Sequence, residues 1–242
     1  MQPSPIAARP RVLFRPPARV RPRSRLFPRS VLVLGGCRSG KTAWAEALGL
    51  EWAGKTAGHG SSRHPVYIAT ALAGDNDPGM RARIARHRAL RDPAWRTLEA
   101  PLDLPEVLAQ VLAGALAGTF APPHGAAFRP QVALIDCITV WLANLMAAGH
   151  DQAAILEQTD RLAELLRAPP CPVLLVSNET GLGVAPSTAL GNQFRDVAGL
   201  VNQKLVKSCG DVYLIISGLP QQLKSVSETS ARRKFRPCRV CT

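Results

Sequence analysis

At 242 residues, 46% hydrophobic and 19% charged, the chain has the size of one α/β domain, which excludes a disulfide miniprotein. Its formal net charge of +13 would suit a nucleic-acid binder, yet the charge sits at the ends. Residues 1–29 hold eight arginines (Arg9, Arg11, Arg15, Arg19, Arg21, Arg23, Arg25, Arg29) and no acid, residues 225–242 hold Arg232, Arg233, Lys234, Arg236 and Arg239 against Glu228, and residues 30–224 balance 17 basic against 16 acidic groups, so no global field steers a polyanion.

Taken in chain order, residues 1–29 are rich in proline as well as arginine and lack the apolar run of a secretory signal, while their prolines argue against an amphipathic transit helix. They are read as a disordered basic extension before a domain at 30–224, with 225–242 as a disordered basic tail. Within the domain, apolar runs at 31–34, 66–70, 132–135, 173–177 and 212–217 are nearly continuous in Val, Ile and Leu, as strands buried on both faces are. Helical patterns fall at 42–53, 78–90, 104–116, 151–167 and 194–209, and a further helix starts near Ile138. Strands alternating with helices predict an α/β fold, a mostly parallel sheet with helices on both faces. The stretches 54–65 and 118–130, rich in Gly, Pro, Ser and His and without periodicity, are predicted surface loops. The best candidate for a membrane span, 132–149, is interrupted by Asp136 and Asn144, so no membrane span is expected. Six irregularly placed cysteines without an export signal read as reduced thiols, and the expected location is cytoplasmic.

The strongest local signal follows the first strand. Gly35, Gly36, Cys37, Arg38, Ser39, Gly40, Lys41 and Thr42 fit G-x-x-x-x-G-K-[ST] between a strand and a helix. Glycines let backbone N–H groups curl around phosphates, Lys41 reaches the outer phosphates, and the Thr42 hydroxyl can ligate Mg²⁺ at the positive end of a helix. A second metal-side carboxylate is expected at a neighbouring strand tip, and Asp136 stands there; the alternative is an aspartate that caps the helix near Ile138. Two more strands end in polar residues, at Thr70 and at Ser177, Asn178 and Glu179. All these tips should face one crevice.

The predicted helix at 78–90 carries an unusual run in which Arg83, His87 and Arg91 are spaced i, i+4 and i+8. Cations so spaced repel one another, which argues for an anionic ligand between them; the alternative is a solvated basic face or a nucleic-acid patch. On the functional reading, neighbouring guanidinium groups would keep His87 neutral and nucleophilic and would stabilise a phosphate under attack.

Seven ordered blocks extend these signals. Arg38 to Thr42, Tyr67 to Ala71, Arg83-Ile84 with His87-Arg88, Trp95 to Glu99, Asp136 to Thr139 with Trp141-Leu142 and Asn144-Leu145, Ser177 to Glu179 with Gly181 and Gly183, and Phe194 to Asp196 with Gly199, Asn202, Gln203, Ser217 and Gly218 lie in this order. Over residues 31–224 the chain resembles the bifunctional adenosylcobinamide kinase/adenosylcobinamide-phosphate guanylyltransferase family of cobalamin biosynthesis. The resemblance implies a P-loop domain with a RecA-like sheet, a homotrimer, a corrinoid substrate, and ATP and GTP with Mg²⁺. It further implies that His87 becomes guanylylated, and that Ala69, Thr70, Ala71, Arg88, Arg91, Glu99 and Asp136 lie at guanine nucleotide.

Three features depart from the family pattern: a longer 54–65 loop, Asp92 where proline is expected after Arg91, and the basic tails. The lone Cys238-x-x-Cys241 lacks the second ligand pair of a structural zinc. Two other functions compete. A small-molecule or nucleoside monophosphate kinase would need only Lys41, Thr42 and Asp136. A nucleic-acid binder would rely on tails with few aromatics, and its binding would be weak and sequence-blind, so no specific nucleic-acid partner is expected.

Overall fold

The structure, a computed structural model, describes residues 30–54, 62–71 and 78–225, the side chains of Pro78, Met80 and Arg83 aside. Residues 1–29 and 226–242, which carry the charge of both basic tails, and residues 55–61 of the expected first loop lie outside the described residues. In chain order the elements are β1 (Ser30–Gly35), α1 (Lys41–Gly54), β2 (Arg63–Ala69), α2 (Pro78–Leu90), β3 (Arg96–Glu99), α3 (Leu104–Ala117), β4 (Arg129–Asp136), α4 (Ile138–Ala147), α5 (Gln152–Leu165), β5 (Val173–Asn178), α6 (Ala189–Ser208), β6 (Asp211–Ile216) and β7 (Leu219–Lys224).

One sheet runs in the order β3-β2-β4-β5-β1-β6-β7. Every neighbouring pair is parallel except β6 and β7, which pair antiparallel. Side chains alternate across a strand, so β1 contributes to two cores. Val31 and Val33 join Trp44, Ala45 and Leu48 of α1, with Trp95 and Tyr213. Leu32 and Leu34 join residues of α3, α4, α5 and α6 on the other face, including Leu108, Trp141, Leu162 and Val201. Helices on both faces explain why the strand sequences show no alternation of apolar with polar residues. This is the α/β architecture that the sequence predicts, a mostly parallel sheet with helices on both faces and the phosphate loop after β1.

Local chemistry sets the helix boundaries. Asp151 caps α5 by accepting from the Ala154 N–H at 2.8 Å, and Thr188 caps α6 by accepting from the Gly191 N–H at 3.1 Å. α6 therefore begins five residues before the expected start at Phe194; Pro186 and Gly191 had broken the apolar pattern without breaking the helix. α3 has proline in its first turn and ends at Gly118, whose φ of 82° suits a left-handed cap.

The expected loops are only partly loops. β2 begins at Arg63 and β4 at Arg129, inside the stretches read as 54–65 and 118–130. Between α3 and β4, Phe120 and Phe128 exchange backbone hydrogen bonds of 2.6 and 2.9 Å, which folds the intervening segment back on itself. β3 and β7 were not expected from the sequence. Both are edge strands with mostly exposed side chains, so neither carries an apolar run.

Candidate active site

Parallel strands deliver their carboxyl ends to one edge of the sheet, and the phosphate loop leaves β1 there. The loop turns sharply: Arg38 has a φ of 55° and Gly40 a φ of 90°, and the Trp44 N–H donates to the Gly40 carbonyl at 3.0 Å as α1 begins. A Cβ on Gly35 would stand 2.5 Å from Ser39 Oγ and 2.8 Å from the Ile215 carbonyl oxygen, so only glycine fits. The β6–β7 turn braces the loop from outside, with the Gly218 N–H donating to the Ser39 carbonyl at 2.8 Å. Lys41 Nζ donates to the Gly36 carbonyl at 3.0 Å, folding its ammonium back over the loop, while Cys37 and Arg38 are exposed.

Across the loop, Asp136 ends β4. Its Oδ2 accepts from the Tyr67 hydroxyl at 2.5 Å, and its Oδ1 lies 3.4 Å from Thr42 Oγ1, within reach of one small cation. The capping alternative is not what the structure shows, because Cys137 occupies the N-cap position of α4 and no side-chain cap bond is made. Tyr67 is buried, and burial followed by the charge of Asp136 pushes its phenol well above the ordinary range, so it stays a donor to that carboxylate. Glu46 of α1 lies in the same electrostatic neighbourhood and is raised to about 7, first by burial and then by Asp136, with Arg91 opposing.

Thr70 is fully buried; its hydroxyl donates to the Cys137 carbonyl and accepts from the Cys137 N–H, both at 2.8 Å. It therefore locks the β2 tip to the β4 tip. Ala69 and Ala71, on either side, are half-buried. Asn144 Nδ2 donates to the Thr70 and Pro101 carbonyls at 2.8 and 2.9 Å. On β5, Ser177 Oγ donates to Asn202 Oδ1 at 2.7 Å, and Asn178 Nδ2 donates to Thr139 Oγ1 at 2.8 Å. These bonds tie the β2 and β4 tips to each other and to α4, and the β5 tip to α4 and α6.

His87 is exposed on the last turn of α2. Arg88 beside it forms an ion pair with Glu99 of β3. Arg91 does not continue the helical face expected for Arg83, His87 and Arg91. α2 ends at Leu90, since Pro93 disfavours helical geometry at Asp92, and the Asp92 carboxylate instead accepts from the Ala94 N–H at 2.9 Å. Released from the helix, the Arg91 guanidinium stacks 3.4 Å from the centre of the Tyr67 ring and donates to Thr97 Oγ1 at 2.7 Å. The Arg83 side chain lies outside the described residues.

Arg88, Arg91 and Glu99 line a cavity of about 760 Å³ whose far wall is Val107, Gln110, Phe120, Pro122 and His124. The segment read as a plain surface loop is thus a wall of this cavity. Among the described residues no three His, Cys, Asp or Glu side chains gather as a metal site. A hydroxyl and one carboxylate are nevertheless a fitting donor set for Mg²⁺, which takes most of its ligands from phosphate and water.

The family described as cobinamide kinase / cobinamide phosphate guanyltransferase matches residues 31–223. The chain belongs to this family. Among its relatives, the bifunctional adenosylcobalamin biosynthesis protein CobP of Pseudomonas aeruginosa is 40% identical over 193 residues, covering 80% of this chain and 96% of the relative. The bifunctional adenosylcobalamin biosynthesis protein CobU of Escherichia coli is 33% identical over 206 residues, covering 80% of this chain and 99% of the relative. A crystal structure of a KaiC-like protein from Pyrococcus horikoshii aligns with a TM-score of 0.42 and 15% identity, over 78% of this chain and 72% of that one. For a member of the cobinamide kinase / cobinamide phosphate guanyltransferase family, the reading as a simple monophosphate kinase falls away.

Sequence reasoning assigned no role to Tyr67, Glu46, Asn144 or Asn202. Three of them sit inside the recognised blocks, and the signal that could have found Asn144 and Asn202 is a polar residue at an apolar position of a helix. Glu46 gave no such signal. Its burial follows from how α1 packs, which only the fold reveals.

Proposed function

We propose that this chain phosphorylates the hydroxyl of the aminopropanol arm of adenosylcobinamide with ATP or GTP. It then transfers GMP from GTP to the resulting phosphate, giving adenosylcobinamide-GDP. In the first reaction the residues Gly35, Gly36, Cys37, Arg38, Ser39, Gly40, Lys41 and Thr42 cradle the donor phosphates, and Lys41 neutralises the charge that gathers on them. Thr42 and Asp136 would hold Mg²⁺, which supplies charge neutralisation on the phosphate oxygens when bound.

In the second reaction a ring nitrogen of His87 attacks the α-phosphate of GTP, the bond to the bridging oxygen breaks, and pyrophosphate leaves. The corrinoid phosphate then displaces His87 from the phosphoramidate. Arg88 and Arg91 stabilise charge on the α-phosphate, and Glu99 holds Arg88 in place. Assembly as a homotrimer and a cytoplasmic location complete this reading.

The observation that carries it is the chain of contacts from phosphate loop to histidine-bearing helix: Thr42 to Asp136, Asp136 to Tyr67, and Tyr67 to Arg91, four residues after His87. Two substitutions separate the halves. Lys41→Ala should lose nucleotide affinity and both activities with an unchanged melting curve. His87→Ala should lose guanylyl transfer by several orders of magnitude and keep substantial kinase activity. Equal loss of both activities in His87→Ala, with the fold retained, would contradict the assignment.

A further inference from the structure

The strand tips leave a second crevice, of about 650 Å³, on the far side of the phosphate loop from α2. Gly36, Cys37, Arg38 and Ser39 form one wall; Asn178, Glu179 and Thr180 continue from β5; Leu182, Leu214 and Ile216 make an apolar side. Leu182 is 81% exposed and Ile216 54% exposed, unusual for large apolar residues beside a polar phosphate loop. We infer that this crevice is the acceptor site of the kinase step, where a broad apolar ring system rests while its hydroxyl-ended arm reaches the loop.

Given the proposed guanylyl transfer, the direction in which the donor lies across the loop decides where the acceptor arrives. For His87 to attack an α-phosphate while the loop holds the outer two, the nucleoside end of the donor must face α2. That helix is tied to the β2–β3 edge, through Arg88 to Glu99 and Arg91 to Tyr67 and Thr97. The terminal phosphate then faces the opposite way, toward β5, β1 and β6, where the second crevice opens. An acceptor hydroxyl arriving there approaches in line. Its oxygen forms the new bond to the γ-phosphorus as the bond to the β–γ bridging oxygen breaks, nucleoside diphosphate leaves, and the hydroxyl proton passes to water in the open crevice. The apolar side chains at Leu182 and Ile216 match a large ring face better than a second phosphate.

The test uses the full-length enzyme and the variants Leu182→Asp and Ile216→Thr, whose exposed positions leave the core untouched. Two quantities are read: the KM for adenosylcobinamide in the kinase reaction, and the rate of covalent labelling by α-labelled GTP without corrinoid. The expected result is a tenfold or greater rise in corrinoid KM with a labelling rate within about twofold of wild type. An unchanged corrinoid KM overturns the inference. Slowed labelling with a raised nucleotide KM also overturns it, since the crevice would then seat the donor base. A wild-type enzyme that takes no label overturns the guanylyl-transfer reading first and this inference with it.

Discussion

At the scale of single residues the site is organised by a buried phenol. Tyr67 gives its hydroxyl to Asp136 and its ring face to Arg91, so one side chain positions both the carboxylate at the β4 tip and a guanidinium just beyond the end of α2. Glu46 completes the group with a testable consequence. In the unfolded chain it ionises near 4.5, whereas in the fold burial and the charge of Asp136 raise it to about 7. The folded state therefore holds a proton that the unfolded state releases, so this contribution to stability is fully present below pH 4.5 and is lost as pH rises through 7. The window corresponds to at most ~3 kcal/mol. Urea melts of Glu46→Gln in chelator-containing buffer should show a flatter stability profile between pH 4.5 and 7 than wild type. A profile of unchanged slope would remove Glu46 from this account.

At the scale of elements, the cavity that holds Arg88 and Glu99 depends on the segment between α3 and β4. Phe120 pairs with Phe128 by backbone bonds and by rings 5.5 Å apart, and Gly114 lets α3 approach them. A Cβ at Gly114 would meet Phe120 Cβ at 2.5 Å and Phe120 Cα at 3.0 Å, backbone that cannot swing aside. Gly114→Ala should therefore destabilise by ~1 to 3 kcal/mol despite the helix preference for alanine, measured by chemical denaturation. A stabilising effect would mean that the pairing yields freely.

The same segment shows where sequence reading stops. The five interior strands were legible because burial on both faces writes unbroken runs of Val, Ile and Leu, and α2 was read with its observed bounds of Pro78 to Leu90. β3, β7 and the Phe120–Phe128 pairing were not, because each lies at the sheet margin and owes its conformation to partners distant in sequence. At the site, the phosphate loop and Asp136 carried their own signals. The departure of Arg91 from the helical face turned on Asp92-Pro93, two residues whose turn chemistry overrides the i+8 spacing.

At the scale of the whole molecule, the +13 charge belongs almost entirely to segments outside both the family match and the recognised blocks. Among the described residues no helix is long and apolar enough to cross a membrane. A chain of residues 30–224 should therefore fold, melt near the full-length temperature and turn over at a similar rate. Retained folding with lost turnover would show that a basic tail completes the site.

The central claim is that one phosphate loop serves two reactions by way of a histidine that carries GMP. The most direct measurement is incubation of the wild-type enzyme with α-labelled GTP and Mg²⁺, followed by peptide mapping by mass spectrometry. The account predicts one acid-labile, base-stable GMP on His87. His64 lies near the amino end of β2, five residues before the Ala69 tip and so roughly 16 Å along the strand from the crevice. GMP on His64, or no covalent label at all, would contradict it.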